Sequence, residues 1–295
     1  MELHDLVADG ARLDCLETGF LFTEGPVWDP RGFLLFSDMP GDVRRRWAPG
    51  SGVTEVRRPA NKCNGMAYDA TGRLLVCEHS TSRLVREELD GSTTIIASHF
   101  DGKELNSPND VIVSMDGSIL FSDPSYGRTA DFGLEREVEL AFRGLYRVPA
   151  SGAGLELIAD DFDQPNGLCW SPDESILYVN DTARGHIRTF RGTPDGPLVE
   201  GLMFAEGIGP GDDGGVVDGM KCDALGNVYV TGPGGYWVFD PSGDRIGVID
   251  VPETTCNLNW GGPEWKTLYC TASTSLYRLE MQVAGAPVPN MMRRA

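Results

Sequence analysis

The chain contains one short phrase six times, and this repetition constrains its fold more than any other feature. Each copy opens with Glu, Asn, Asp or Cys, and most copies continue with a glycine. The opening residues are 40, 45, 57, 52 and 38 positions apart. Repeats of about 40 to 50 residues are typical of propeller blades, each of which is a four-stranded antiparallel sheet. The six copies are Glu24–Trp28, Asn64–Tyr68, Asn109–Val113, Asn166–Trp170, Asp218–Cys222 and Cys256–Trp260.

The residues between the phrases also favour a propeller. Each phrase is followed by a turn rich in Asp, Gly, Pro or Ser and then by a short apolar run, as in Asp29–Gly32 and Phe33–Ser37. Short apolar runs bounded by such residues are typical of strands joined by hairpins. The last repeat is too short for a fourth strand, and we expect the alternating segment Ala11–Glu17 to supply it. This strand would close the ring and remove exposed sheet edges.

We therefore predict an all-β fold, a single six-bladed β-propeller domain that spans residues 1–295 and is closed by an N-terminal strand. A β-sandwich or a pair of small barrels is the alternative, but neither explains six copies of one phrase. One short helix is predicted at Leu134–Phe142, inside the longest insertion. The two ends of the chain, Met1–Gly10 and Ala284–Ala295, are predicted to be loose.

The composition excludes several functional classes. The net charge is −19, with 44 acidic and 25 basic residues, which argues against nucleic acid as a partner because phosphate binding needs a clustered basic surface. The N-terminal residues do not have the pattern of a signal peptide, and no apolar run is long enough to span a membrane. The seven cysteines are scattered and form no CxxC pair. We therefore expect a cytoplasmic protein with free thiols and no membrane association.

Closure of the ring would bring the opening residues of the six phrases together around one axis. Five of them offer oxygen ligands without any histidine, and such ligands suit a hard cation, Ca²⁺ above all, with Mg²⁺, Mn²⁺ or Zn²⁺ as alternatives. The two carboxylates would balance a divalent charge, and the amides would complete the shell. Taken alone, each Asn-Gly or Asp-Gly pair would be interpreted as part of a turn, where such pairs are common. The five residues are Glu24, Asn64, Asn109, Asn166 and Asp218.

Several ordered motifs resemble those of a known family. Four of them are Glu24-Gly-Pro26, Leu105-Asn-Ser-Pro-Asn-Asp110, Gln164-Pro-Asn-Gly167 and Val217-Asp-Gly219. They resemble the signature of the senescence-marker-protein, gluconolactonase and luciferin-regenerating-enzyme family. Two further phrases, Val76–His79 and Phe121–Gly127, resemble the bacterial gluconolactonase branch. The resemblance runs from about Phe20 to Leu279 and is more specific for the family than for the substrate.

The resemblance implies a six-bladed propeller that binds one divalent cation near its axis and hydrolyses lactones, most often sugar lactones such as gluconolactone. It places Glu24, Asn166 and Asp218 at the metal ligands of the family. It also implies that Asn109 contacts the small-molecule lactone substrate and that Asp218 is the catalytic carboxylate that activates water. Some members carry an arginine two positions before that asparagine, where this chain has Ser107. The mode of sugar binding therefore stays open.

Two other functions are compatible with the same residues. A phosphotriesterase-like hydrolase could use the cation to polarise a phosphoryl oxygen, and a non-catalytic scaffold could use it to stiffen a sealed channel. The roles of His79 and Cys256 stay open, although a neutral thiol that fills space is the favoured interpretation of Cys256. The insertion at 124–144, which includes Tyr126, is a candidate roof over the pocket.

Overall fold

The computed structural model describes residues 1–294, excluding the side chains of 292–294. Within this part of the chain the strands form six four-stranded sheets and one two-stranded sheet, which pairs His99–Phe100 with Lys103–Glu104. In five of the sheets the four strands are consecutive in the chain and pair antiparallel, so one repeat makes one blade. The innermost strands of successive blades contact one another in a closed ring. The prediction of an all-β, six-bladed propeller is confirmed.

Each blade is built outward from the axis. The innermost strands are Thr23–Asp29, Cys63–Tyr68, Val111–Val113, Pro165–Trp170, Met220–Cys222 and Thr255–Gly261. The second strands are Phe33–Asp38, Leu74–Glu78, Ile119–Asp123, Ile176–Asp181, Val228–Gly232 and Thr267–Ala272. The third strands are Val43–Ala48, Arg83–Glu87, Arg143–Val148, His186–Arg191, Gly235–Phe239 and Ser275–Glu280. The outermost strands are Gly52–Arg57, Thr93–Ala97, Glu156–Phe162, Val199–Glu206, Arg245–Asp250 and Asp14–Thr18.

The sixth blade takes its outermost strand from the N-terminus. Asp14–Thr18 pairs antiparallel with Ser275–Glu280, so the two ends of the propeller chain meet in one sheet. The prediction that an N-terminal strand closes the ring is confirmed, although the strand begins later than expected. Across the same closure, Trp28 of the first blade stacks on Tyr269 of the sixth, with ring centroids 5.2 Å apart. The core lies between neighbouring blades, and aromatic pairs of this kind contribute to it.

The glycines of the repeated phrase serve close packing around the axis. The Gly65 amide donates a hydrogen bond to the Asn109 carbonyl oxygen at 2.8 Å, and Gly167 donates to Asp218 at 3.0 Å. A Cβ atom on Gly65 would lie 2.5 Å from the Asn109 oxygen, and one on Gly167 would lie 2.1 Å from the Asp218 oxygen. Neither distance is compatible with a side chain. Gly65 and Gly167 therefore lie within axial strands, and the Asn64-Gly65 and Asn166-Gly167 pairs do not form turns.

The insertion between the second and third strands of the third blade has no helix at Leu134–Phe142, so that prediction is wrong. Its one helical element is a single 3₁₀ turn at Tyr126–Arg128. The Leu134 amide donates to the Gly127 carbonyl at 3.1 Å, which folds the insertion back on itself. Arg128 is buried and donates from Nε to the Asn106 carbonyl at 2.6 Å. These contacts hold the segment extended against the blades, and they replace the local hydrogen bonds that a helix would make.

The described parts of both chain ends are packed, so the prediction of loose ends is wrong for them. Leu6 is fully buried beside a 3₁₀ turn at Leu3–Asp5. At the other end of the chain, the Ala286 amide donates to the Cys222 carbonyl at 2.9 Å, and a 3₁₀ helix follows at Pro289–Arg294. Ala295 lies outside the described residues. Within residues 1–294, no helix combines the length and apolar character that crossing a membrane requires.

Candidate active site

A cavity of about 220 Å³ lies at one end of the axis, here called the upper end. Five of the six phrase-opening residues line it, so the structure brings together the residues that the sequence selected. Its floor is polar, and its walls are largely aromatic or aliphatic. The floor residues are Glu24, Asn64, Asn109, Asn166 and Asp218, and the other lining residues are Phe22, Met39, His79, Tyr126, Phe132, Thr182 and Val216.

Glu24 is almost fully buried beneath the cavity. Its Oε2 accepts a hydrogen bond from the Gly25 amide at 2.7 Å and another from Asn257 Nδ2 at 3.0 Å. Burial raises the pKa of Glu24 to about 7, although both hydrogen bonds act in the opposite direction. The carboxylate is therefore held in a fixed position where its negative charge is costly without a cation.

Asp218 faces the cavity from the fifth blade and keeps part of its surface exposed. Its backbone amide donates to Thr231 Oγ1 at 2.7 Å, which fixes the start of the axial strand. Protein surrounds the carboxyl on its other sides, and this burial raises its pKa well above the ordinary value; the neighbouring charges of Glu24 and Asp110 raise it further. Two carboxyl groups in hydrogen-bonding reach of one another ionise together only if a positive charge is near.

The amides of the floor present oxygens that no other group satisfies. Within residues 1–294, Asn64 Oδ1 and Asn166 Oδ1 are buried and have no hydrogen-bond partner. Asn166 Nδ2 donates to Thr182 Oγ1 at 3.0 Å, and that hydroxyl donates to the Val217 carbonyl at 2.7 Å, so the amide orientation is fixed. Buried acceptors without partners are costly, which indicates that a ligand belongs here.

This donor set fits a hard cation. Nowhere in residues 1–294 do three or more His, Cys, Asp and Glu side chains cluster as metal ligands, so a cation site on the floor depends on amide oxygens. Glu24 and Asp218 supply two negative charges that repel one another, and Asn166 supplies an unpaired neutral oxygen. Carboxylate and amide oxygens of this kind are typical ligands of Ca²⁺.

Three residues below the floor were not selected from the sequence. Asn257 holds Glu24, and Asp110 lies 3.3 Å from Lys221 Nζ, measured to Oδ2. Asn257 and Asp110 occupy the second position of the phrase, where the other four copies carry glycine. That departure from glycine was the signal in the sequence that could have identified them, because only glycine lacks a side chain to project toward the axis.

His79 and Cys256 are both buried, but their environments differ. His79 lines the cavity under the insertion, and burial lowers its pKa to about 4, so the ring is neutral at physiological pH. Cys256 is the one phrase-opening residue absent from the cavity lining, and its sulfur accepts a hydrogen bond from the Ser273 amide at 3.2 Å. Burial raises the pKa of the Cys256 thiol well above the ordinary value, and the charges of Glu24 and Asp218 add to this effect.

The insertion covers one side of the cavity. Tyr126 and Phe132 line the wall, and the Phe132 ring packs edge-on against Phe22 with centroids 5.5 Å apart. Arg136 anchors the insertion to the second blade by donating to the Ser80 carbonyl at 2.8 Å. The insertion therefore forms a fixed part of the cavity wall, as its length suggested.

Comparison with known proteins shows the family of this chain. Residues 22–274 match the model of the SMP-30/Gluconolactonase/LRE-like region. The chain belongs to this family. It is 30% identical to a gluconolactonase of Zymomonas mobilis subsp. mobilis over 92% of this chain and 82% of that protein.

Solved structures give the same result. The chain is similar to a putative gluconolactonase with a TM-score of 0.89 and 35% identity, over 96% of this chain and 97% of that one. It is also similar to a gluconolactonase of Xanthomonas campestris with a TM-score of 0.87 and 34% identity, over 95% and 92% of the two chains. The predicted family is confirmed, and the chain is an enzyme of the lactonase class.

Proposed function

We propose that this protein hydrolyses lactones, with sugar lactones such as gluconolactone as the first substrates to test, and that it does so with a divalent cation. The observation that carries the proposal is the convergence of Glu24, Asn109, Asn166 and Asp218 on one cavity, two of them as mutually repelling carboxyls. The names of the gluconolactonase relatives support the same class of substrate.

Different residues of the floor would bind the cation and orient the substrate. Glu24, Asn166 and Asp218 would hold the cation, Ca²⁺ before Mg²⁺, Mn²⁺ or Zn²⁺ on the chemistry of the donors. A bound cation supplies polarisation of the lactone carbonyl and stabilisation of the negative charge that develops on its oxygen. Asn109 lines the same cavity, where its side-chain amide would orient the lactone.

Asp218 is the general base of the proposed reaction because its carboxyl group lines the cavity and the residue keeps part of its surface exposed there. It takes a proton from water as the water oxygen adds to the carbonyl carbon. The bond between that carbon and the ring oxygen then breaks, and the ring oxygen takes up the proton. The product is the open-chain hydroxy acid, and no serine nucleophile is required.

The exposure of the site favours a catalytic function over a scaffold function. A scaffold with a structural ion predicts a sealed axial site, whereas Asp218 is partly exposed to an open cavity.

The seven cysteines, all within the described residues, are free thiols, which supports the predicted cytoplasmic location.

The test is turnover of a panel of five- and six-membered lactones and one phosphotriester, measured before and after chelation and after return of Ca²⁺. We expect lactone hydrolysis that chelation abolishes and Ca²⁺ restores. Turnover that survives chelation would contradict the role of the cation. Turnover of the phosphotriester alone would favour the second hydrolase, and no turnover of any substrate would favour the scaffold.

A further inference from the structure

His79 is enclosed between the insertion and the floor of the cavity. Its Nδ1 lies 3.1 Å from the Phe132 carbonyl oxygen, and its Nε2 lies 3.2 Å from Asn64 Nδ2. The carbonyl oxygen can only accept a hydrogen bond, so Nδ1 carries the proton. In a neutral imidazole Nε2 then accepts, and the Asn64 amide must turn its nitrogen toward His79.

This arrangement decides where the Asn64 oxygen points. With its nitrogen bound to His79, the amide directs Oδ1 away from the ring, and Asn64 lines the cavity. Oδ1 is buried and has no partner among the described residues. Asn64 lies beside Asn109, since the Gly65 amide donates to the Asn109 carbonyl at 2.8 Å. Two amides from neighbouring blades thus face the same space.

The insertion fixes His79 in this position. Gly127 packs directly on the imidazole side chain, and a Cβ at Gly127 would lie 2.7 Å from His79 Cβ and Cγ. Arg136 donates to the hydroxyl of Ser82 and to the Ser80 carbonyl, which ties the insertion to the turn that follows His79. Rotation of the imidazole would break contacts with both the insertion and the floor.

We propose that Asn64 is a substrate-binding residue whose amide oxygen accepts a hydrogen bond from a hydroxyl group of the lactone, and that His79 is its positioning residue. The inference rests on the proposed function and narrows the substrate to hydroxylated lactones. A lactone without that hydroxyl leaves a buried acceptor unpaired, and sites of this kind discriminate strongly against such analogues.

The experiment compares δ-gluconolactone with δ-valerolactone, which has the same ring without hydroxyls. Steady-state kcat and KM are measured for the wild type, Asn64→Leu, His79→Leu and His79→Gln, and Ca²⁺ binding is measured by calorimetry. In Asn64→Leu we expect kcat/KM for gluconolactone to fall about 10- to 100-fold relative to kcat/KM for valerolactone, mainly through KM, while Ca²⁺ affinity is retained. His79→Leu should act in the same direction and more weakly.

His79→Gln is the conservative variant, because a glutamine amide can donate to the Phe132 carbonyl and accept from Asn64. We expect it to recover most of the wild-type KM. Tyr229→Phe is the matched control, since it removes a buried hydrogen bond to Asp223 outside the cavity and should alter neither KM.

Three outcomes would overturn the inference: equal losses on both lactones, weakened Ca²⁺ binding in Asn64→Leu, or no recovery in His79→Gln. Weakened Ca²⁺ binding would identify Asn64 as a ligand of the cation instead. If the wild type hydrolyses neither lactone, the proposed function fails, and calorimetric binding of gluconate to the same four proteins still decides whether Asn64 contacts a hydroxyl.

Discussion

The two ends of the axial channel are built from the same six strands, yet they differ in the volume that they enclose and in how closely their residues pack. The upper end has a cavity of about 220 Å³ with unpaired amide oxygens in its floor. The opposite or lower end has a void of only about 70 Å³, bounded by Lys221, Trp260 and the C-terminal segment. Gly285 packs there so closely that a Cβ would lie 2.5 Å from Trp260 Cγ.

Two aspartates of the fifth blade show what this difference means. Asp223, at the lower end, is fully buried and accepts hydrogen bonds from Asn227 Nδ2 at 2.7 Å and from the Tyr229 hydroxyl at 3.1 Å. Asp218, five positions earlier, faces a second carboxyl group. Satisfied polar groups stabilise a fold, whereas groups left unsatisfied are expected at functional sites. Asp223 therefore serves stability at the lower end, whereas Asp218 at the upper end is available for binding and chemistry.

The largest effect should come from exchanging Asp for Asn at each end. Asp218→Asn removes the proposed base, and we expect kcat for lactone hydrolysis to fall about 10²- to 10⁴-fold. It also removes a buried like-charge contact, so the metal-free variant should be more stable than the wild type. Asp223→Asn should instead lower the free energy of unfolding by about 1 to 3 kcal/mol and preserve kcat. Steady-state kinetics and denaturant unfolding measure both. Full activity of Asp218→Asn would show that the base is misassigned.

A smaller effect is expected from truncating an asparagine at each end. Asn109→Ala should lower kcat/KM about 10- to 100-fold through loss of substrate orientation, while Ca²⁺ affinity is retained. Asn227→Ala leaves Asp223 with one partner fewer and should lower stability without changing kcat/KM. Kinetics and calorimetry on both variants separate the two effects. Loss of Ca²⁺ binding in Asn109→Ala would place Asn109 among the ligands of the cation.

The charge of Glu24 should make the stability of the metal-free protein depend on pH. Its pKa is raised by burial from 4.5 to about 7, so the folded state holds a proton that the unfolded state has released. The contribution of Glu24 is thus fully present below pH 4.5 and is lost as the pH rises through about 7. We expect the free energy of unfolding to fall by about 1 to 3 kcal/mol over this range.

Added Ca²⁺ should reverse this pH dependence, because the ion favours the ionised carboxylate. Chemical denaturation at a series of pH values, with chelator and with Ca²⁺, measures both slopes. Glu24→Gln is the control and should remove the Glu24 contribution to the slope. An unchanged slope in that variant would assign the pH dependence to other groups.

The smallest effect on catalysis is expected at the ion pair below the floor. Lys221→Met leaves Asp110 buried without its cation, and we expect a loss of about 1 to 3 kcal/mol in the free energy of unfolding. Removal of a positive charge near Glu24 should also make Ca²⁺ binding modestly tighter. Calorimetry measures the Ca²⁺ affinity, and chemical denaturation measures the free energy of unfolding. Adding Asp110→Asn to the variant should recover part of the lost stability, and failure to do so would exclude the unpaired charge as the cause.

Much of the fold was predictable from the sequence because the same sequence pattern recurs six times. The phrase, the turn and the apolar run recur in each blade, and equivalent positions of a closed repeat meet at one axis. That reasoning predicted the six blades, a closing strand at Ala11–Glu17, which the structure has at Asp14–Thr18, and the convergence of residues as distant as Glu24 and Asp218. The prediction of a helix at Leu134–Phe142 was wrong because it depended on the local sequence pattern alone. The tertiary contacts of Arg128 outweigh that local preference.

The sequence by itself determined the architecture of this protein and the ring of oxygen donors at its centre, since both follow from one periodic pattern. Only the tertiary structure decided which end of the channel is open, how Asn257 fixes Glu24 and how His79 orients Asn64. Asn257 and Glu24 are 233 positions apart, and no local pattern records such a pairing. Burial and hydrogen bonding at these contacts depend on the three-dimensional packing of different blades, and that packing exists only once the ring has closed.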